Sequence, residues 1–229
     1  MRVMGAAVGA LAVIILFAVT QARPTSNQPA APAPAGSPVA LPSPDLAGAI
    51  SLEEALARRR SVRSFSSRVL TAAEVGQLLW AAQGVTDAGG HRTAPSAGAT
   101  YPLEVYVVTP EGVSRYLPGE HALRPVRTGD VRSELAAAAL GQEAVASAPL
   151  VVVITGVVDR TASRYGARAE RYVWLEAGHA AQDVLLQAVA LDLGAVPIGA
   201  FDDDRVRSVV GAPADEAPLY LVPVGHPAG

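Results

Sequence analysis

The densest group of residues able to do chemistry is Arg58-Arg59-Arg60-Ser61-Val62-Arg63-Ser64-Phe65. Planar guanidinium forks match phosphate geometry, and guanidiniums this crowded repel one another unless an anion or solvent offsets their charge. The run reads either as a phosphate cradle or as the solvated cationic end of a helix, which the macrodipole favours on its own. Two segments of small residues could let a flat ligand approach the backbone: Ala94-Pro95-Ser96-Ala97-Gly98-Ala99-Thr100-Tyr101-Pro102 and Gly194-Ala195-Val196-Pro197-Ile198-Gly199-Ala200-Phe201. Each is equally readable as an ordinary connection. Glu176 and His179, three apart on one helical face, form a candidate proton-handling pair or a structural hydrogen bond. Tyr101, Tyr116 and Tyr172 suit either core filling or a pocket wall.

Other chemistries are excluded by what the chain lacks. All 18 basic residues are Arg, so Schiff-base enzymes, P-loop NTPases and protein kinases, each needing a particular lysine, are ruled out. There is no Cys, which removes disulfides, thiolate nucleophiles, Cys-ligated zinc and iron–sulfur clusters. His91, His121, His179 and His226 are scattered without metal-ligand spacing. A net charge of −3 leaves no basic surplus to neutralise a run of phosphates, so nucleic acid is not an expected partner.

The elements that must position these residues follow from patterning. Ser51 with Glu54, and Thr71 with Glu74, are capping-box signatures that open two helices, the second with Val75, Leu78, Leu79 and Ala82 on its inward face. Residues 103–109, 150–158 and 219–224 are β-branched runs and read as strands. The Pro-free stretch 167–193, followed by Gly194, predicts one long helix. Asp202-Asp203-Asp204 reads as an N-cap cluster for a helix near Arg205. Segments 116–132 and 160–168 read as pocket-shaping loops. The alternation makes a single mixed α and β domain. Upstream, residues 3–19 are uncharged and apolar behind Arg2, the pattern of a signal peptide or membrane anchor over residues 1–22. A Pro- and Ala-rich linker then spans 23–49, with the folded domain over 50–229.

Taken in order, R-R-S-x-R-S-F, P-S-A-G-A-T-Y-P-L-E-V-Y, E-A-G-H-A-A-Q-D-V-L-L-Q-A, G-A-V-P-I-G-A-F-D-D and P-L-Y-L-V-P-V-G-H-P resemble the nitroreductase-type flavoproteins, most closely their SagB/ThcOx-type dehydrogenase branch. The resemblance implies an α+β nitroreductase-like fold, a mixed central sheet wrapped by helices, and an intertwined homodimer binding FMN at its interface. It implies that Arg59, Arg60, Ser61 and Arg63 hold the FMN phosphate and ribityl chain. Pro95, Ser96, Ala97 and Gly98 reach the same flavin from the partner subunit, and Pro197, Ile198, Gly199 and Ala200 lie against the isoalloxazine. Three departures stand out. Gly199 occupies the place of a Glu in classical nitroreductases, the stretch where many members carry a basic residue that also reaches the phosphate reads Val224-Gly225-His226-Pro227, and Arg171-Tyr172 replaces the Lys-Tyr pair of azoline-oxidising members. Arg cannot be deprotonated near neutral pH, so it cannot replace that Lys as a base.

These residues are expected to make an FMN-dependent oxidoreductase that passes hydride through flavin N5 by a ping-pong mechanism, on a small-molecule or peptide substrate. The alternative from another class is a non-redox, membrane-tethered flavin- or ligand-binding module. The N-terminal segment places either one outside the cytoplasm, anchored if uncleaved and secreted if cleaved.

Overall fold

A computed structural model describes residues 36–228. The proposed signal or anchor and the first part of the linker lie outside the described residues. Among the described residues no helix is long and apolar enough to cross a membrane.

In chain order the elements are β1 (Val39–Ala40), α1 (Leu52–Arg58), α2 (Ala72–Gln83), β2 (Leu103–Thr109), β3 (Gly112–Leu117), β4 (Ala122–Thr128), α3 (Arg132–Ala138), α4 (Glu143–Ser147), β5 (Leu150–Gly156), α5 (Val158–Tyr165), α6 (Ala169–Ala190), β6 (Gly194–Ala195), α7 (Asp203–Val210) and β7 (Ala217–Gly225). The sheet runs β1-β4-β3-β2-β5-β7-β6. Its ladders are antiparallel, and a parallel contact comes from Ser61, which bridges Ala195 beyond β6.

Both faces of the sheet are covered, which is why β2 and β5 read as continuous apolar runs and not as alternating ones. Leu103, Val105, Val107, Val152, Ile154, Val222 and Val224 pack against Leu78 and Leu79 of α2 and against Val173, Ala177, Ala181 and Val184 of α6. On the opposite face Tyr106, Val108, Val151, Val153 and Leu221 meet Leu135 of α3, Val145 of α4, and Val206 and Val210 of α7. The fold is thus a nitroreductase-like α+β arrangement: a central sheet with helices on each side.

Local signals act where the sequence puts them. Thr71 caps α2 with both halves of a capping box, its hydroxyl accepting from Glu74 N–H while Glu74 accepts from Thr71 N–H. Ser51 completes only half, because the Glu54 carboxylate turns to Arg58 instead. Asp202 caps α7 by accepting from Arg205 N–H.

Several expectations are corrected. The strand at 150–158 stops at Gly156, where an added Cβ would lie 2.6 Å from Val173 Cγ1, and Val158 already starts α5. The long helix ends at Ala190, short of Leu193. Asp192 takes the left-handed position (φ 54°), with Leu193 N–H bonded to Ala188 C=O and Asp192 N–H to Val189 C=O, a Schellman closure made by Asp in place of Gly. Gly194 instead pairs with Gly225 as the first residue of β6. The loop expected at 116–132 is mostly the end of β3 and all of β4, strands near the β1 side of the sheet whose polar Ser114, Arg115, Arg124 and Arg127 hide the strand signal. The loop expected at 160–168 is largely α5. The Pro-rich stretch 36–49 lies along the domain: Val39 and Ala40 pair with Leu123 and Ala122, and His121 Nε2 donates to Pro42 C=O at 2.9 Å.

Candidate functional site

The arginine run leaves α1 at Arg59, whose extended backbone ends the helix, and continues as an extra strand-like segment on the β6 edge. Val62 N–H donates to Ala195 C=O at 3.0 Å, and Val62 packs so closely on Gly194 that an added Cβ there would sit 2.6 Å from its side chain. The C-terminal residues fasten the other side: Ser66 N–H donates to His226 C=O at 2.8 Å and Ala228 N–H to Ser64 C=O at 3.0 Å. Among the described residues, acidic groups relieve the crowding of the four guanidiniums at Arg58 alone. Arg58 pairs with Glu54 and Asp192, each at 3.0 Å. Arg59, Arg60 and Arg63 have no acidic partner among the described residues. Arg60 donates through one nitrogen to the carbonyls of Ala57 and Arg59 and keeps its other donors open. A hollow of about 290 Å³ lies beside Arg58, Arg60, Val62 and Pro227.

The segment 197–200 follows β6 along the same sheet edge. Ile198 is buried and exchanges both backbone hydrogen bonds with Leu221, at 2.8 and 3.0 Å. Gly199 and Ala200 then turn outward, and their N–H groups have no acceptor among the described residues. Nothing lies within 4 Å of a Cβ built on Gly199. A cavity of about 300 Å³ opens there, walled by Trp174, Phe201, Leu219 and Tyr220. Open guanidiniums and unpartnered amides of exposed residues therefore share one edge, a combination suited to a ligand carrying both a phosphate and a flat ring.

The third segment sits elsewhere in the chain. Ser96 precedes a single 3₁₀ turn, Ala97–Ala99, packed on α5 and α6. Gly98 is left-handed (φ 62°), and a Cβ on it would meet Tyr165 Oη at 2.7 Å, so both its backbone and its surroundings favour glycine. Arg164 donates to Gly98 C=O at 3.0 Å and Arg160 to Tyr101 C=O at 3.1 Å. Within one chain, then, the 59–63 and 197–200 segments are adjacent and 95–98 stands apart on the helical layer.

The anticipated Glu176–His179 pair does not form. Glu176 faces inward at 3% exposed, His179 faces out, and Glu176 instead lies against Ser96, Ala97 and Arg92. Burial pushes the Glu176 carboxyl up to about 7, with the Ser96 hydroxyl, Arg92 and the Ala97 amide pulling the other way. Tyr116 is core, its hydroxyl 2.8 Å from His121 Nδ1. Tyr101 is partly buried beneath the Arg92 guanidinium at 4.5 Å, and Tyr172 packs edge-on against Tyr165 with centroids 5.1 Å apart. Sequence reading missed Trp174, Tyr220 and Arg92. The outward Trp174-Leu175 pair on an otherwise amphipathic helix was the signal available for the first.

The profile of the nitroreductase family matches residues 56–226. A Methanocaldococcus jannaschii protein that carries a nitroreductase name is 46% identical over 183 residues, spanning 77% of this chain and 91% of that one. The trifolitoxin operon protein TfxC of Rhizobium leguminosarum bv. trifolii is 30% identical over 206 residues, 80% of this chain but 57% of that protein. Among solved structures, a protein from Ralstonia eutropha described as a nitroreductase superposes with a TM-score of 0.77 at 32% identity, covering 84% of this chain and 90% of its own. The Escherichia coli microcin synthetase McbBCD complex with bound truncated pro-MccB17 shares the fold, with a TM-score of 0.68 at 24% identity, over 82% of this chain and 77% of that one.

Proposed function

The chain belongs to the nitroreductase family, and from that premise we propose that it is an FMN-dependent oxidoreductase of the SagB type, acting on a small-molecule or peptide substrate. The observation that carries this reading is the single sheet edge where Arg59, Arg60 and Arg63, without acidic partners among the described residues, neighbour the exposed Gly199 and Ala200, whose amides have no acceptor there. These residues fit the cofactor. Arg59, Arg60, Ser61 and Arg63 would hold the phosphate and ribityl chain by charge-assisted hydrogen bonds. Pro197, Ile198, Gly199 and Ala200 would back the ring, and the bare Cα of Gly199 leaves room for close approach. When bound, FMN supplies hydride transfer at N5 in two half-reactions; the protein supplies binding, orientation and exclusion of water.

The reading includes a homodimer. Trp174 and Leu175 are 61% and 53% exposed side by side on α6, an apolar pair that suits a helix packed against its counterpart in a second copy. In that arrangement Pro95, Ser96, Ala97 and Gly98 complete the flavin site of the partner, which accounts for a strained loop far from the arginine edge of its own chain.

A peptide substrate is the reading prompted by the microcin synthetase complex with bound truncated pro-MccB17. Azoline oxidation with a Lys-type base is not part of the proposal, because Arg171 precedes Tyr172 here and stays charged. The apolar run at 3–19 places the domain outside the cytoplasm in this reading, where a substrate or a membrane carrier, and not a nicotinamide, would be the electron donor.

An absorption spectrum of the purified protein tests all of this, followed by anaerobic NADH, NADPH and dithionite. Flavin bands that bleach with dithionite but not with nicotinamides are the expected result. No flavin uptake after incubation with FMN would overturn the assignment.

A further inference from the structure

The chemistry just described leaves Glu176 unused. It is 3% exposed, and neither carboxylate oxygen has a partner at full hydrogen-bond geometry among the described residues, the Ser96 hydroxyl and the Ala97 amide being the nearby donors. An ionised carboxylate so placed has surrendered its hydration without a replacement, which favours the neutral acid. The groups facing it are few. From the preceding connection comes Arg92, which is already committed: it donates to Gln83 Oε1 at 2.7 Å and lies over the Tyr101 ring. From the loop come the Ser96 hydroxyl and the Ala97 amide. On α5, Arg160 and Arg164 are turned to the carbonyls of Tyr101 and Gly98; on β2, Glu104 is held by Arg115 and Arg160. On α6 itself, Tyr172 packs on Tyr165 and His179 points outward.

The loop above Glu176 is under strain. Ala99 and Tyr101 have φ of 54° and 45°, values costly for residues with a Cβ. α5 holds the loop from one side, through its two arginines and the Thr100–Thr161 hydroxyl contact of 2.9 Å. From within, Ser96 Oγ accepts from Tyr101 N–H at 2.9 Å, which leaves its own O–H free to point at the acid beneath.

We propose that Glu176 is kept as a neutral carboxylic acid hydrogen-bonded with the Ser96 hydroxyl, and is the positioning residue that sets the shape and charge of the 95–98 loop. Burial raises this carboxyl to about 7, in keeping with that geometry. The consequence for flavin rests on the preceding reading that this loop reaches the partner's cofactor: a neutral loop floor below neutral pH becomes anionic above it.

The test is infrared difference spectroscopy of the full chain between pH 5 and 9, without flavin and again with FMN, comparing wild type with Glu176→Gln. Asp183, the other carboxyl raised by burial, is replaced by Asn in both backgrounds so that its band does not overlap. A carboxylic C=O band present at pH 6, lost above pH 8 and missing in Glu176→Gln is the expected result. Ser96→Ala should move the midpoint up by about half a unit or more, since a donor to the ionised form is removed, and Ser96→Thr should restore it. Absence of the band at pH 6, or a midpoint below 5, overturns the proposal; a midpoint indifferent to Ser96 overturns the Ser96 contact. Failure to bind FMN leaves the flavin-free result standing, so the two readings fail separately.

Discussion

At the scale of single residues, the candidate site carries groups without their usual partners among the described residues. Glu176 is the sharpest case. The unfolded chain gives up this proton near the ordinary 4.5 and the folded one near 7, so between those values the folded protein holds more protons and loses stability as pH rises. Melting curves of wild type and Glu176→Gln should therefore diverge across that window. Wild type should lose several degrees relative to the variant by pH 8, and parallel curves would mean that the carboxyl ionises normally. The arginines make the opposite kind of case, being charges at the surface where removal costs the fold little. Arg60→Ala and Arg63→Ala should each weaken FMN binding about tenfold or more, the worth of a charge-assisted hydrogen bond, while shifting the melting temperature by only a degree or two. Titrating flavin fluorescence against each variant checks this, and equal affinity in both would remove the phosphate from that edge.

At the scale of elements, what places the arginines is an edge contact only a glycine permits. A Cβ on Gly194 would lie 2.6 Å from both Cβ and Cγ1 of Val62, so Gly194→Ala must push residues 59–63 away from β6. Overpacking of that kind costs about 1–3 kcal/mol, and here it should also weaken FMN binding, in contrast to Thr71→Ala, which removes a cap for about 1 kcal/mol and leaves the flavin site alone. Denaturant melts paired with flavin titration separate the two. The same contact shows what could be read beforehand. Apolar runs buried on both faces, such as β2, and caps such as Thr71 are written in local patterns, and both lie where the sequence puts them. Gly194 was legible as a breaker after a helix, but its purpose is a tertiary contact with Val62, and Asp192 closes the helix in its stead. β3 and β4 escaped notice because half-exposed strands interrupted by Ser, Arg and Pro carry no apolar run. The separation of Glu176 from His179 escaped notice because three-residue spacing places two side chains near one another without saying which the core will take.

At the scale of the whole molecule, one chain carries two parts of the proposed flavin site and does not bring them together. The arginine edge and the 197–200 segment share the β6–β7 margin, while Ser96 and Gly98 ride on α5 and α6. A second copy supplies the join if α6 packs on its counterpart, and the exposed Trp174 and Leu175 are the apolar surface available for it. A charge placed in a packed interface core is poorly tolerated, whereas the same charge on a solvated helix face is nearly neutral. Trp174→Glu should accordingly convert a dimer into a monomer in sedimentation experiments and lose flavin with it, although Arg59, Arg60 and Arg63 are untouched. Arg60→Ala should show the reverse pattern, losing flavin while remaining dimeric. A Trp174→Glu monomer that still binds FMN with unchanged affinity would mean that the 95–98 loop of the partner contributes nothing. The strain stored in that loop would then need a purpose within its own subunit.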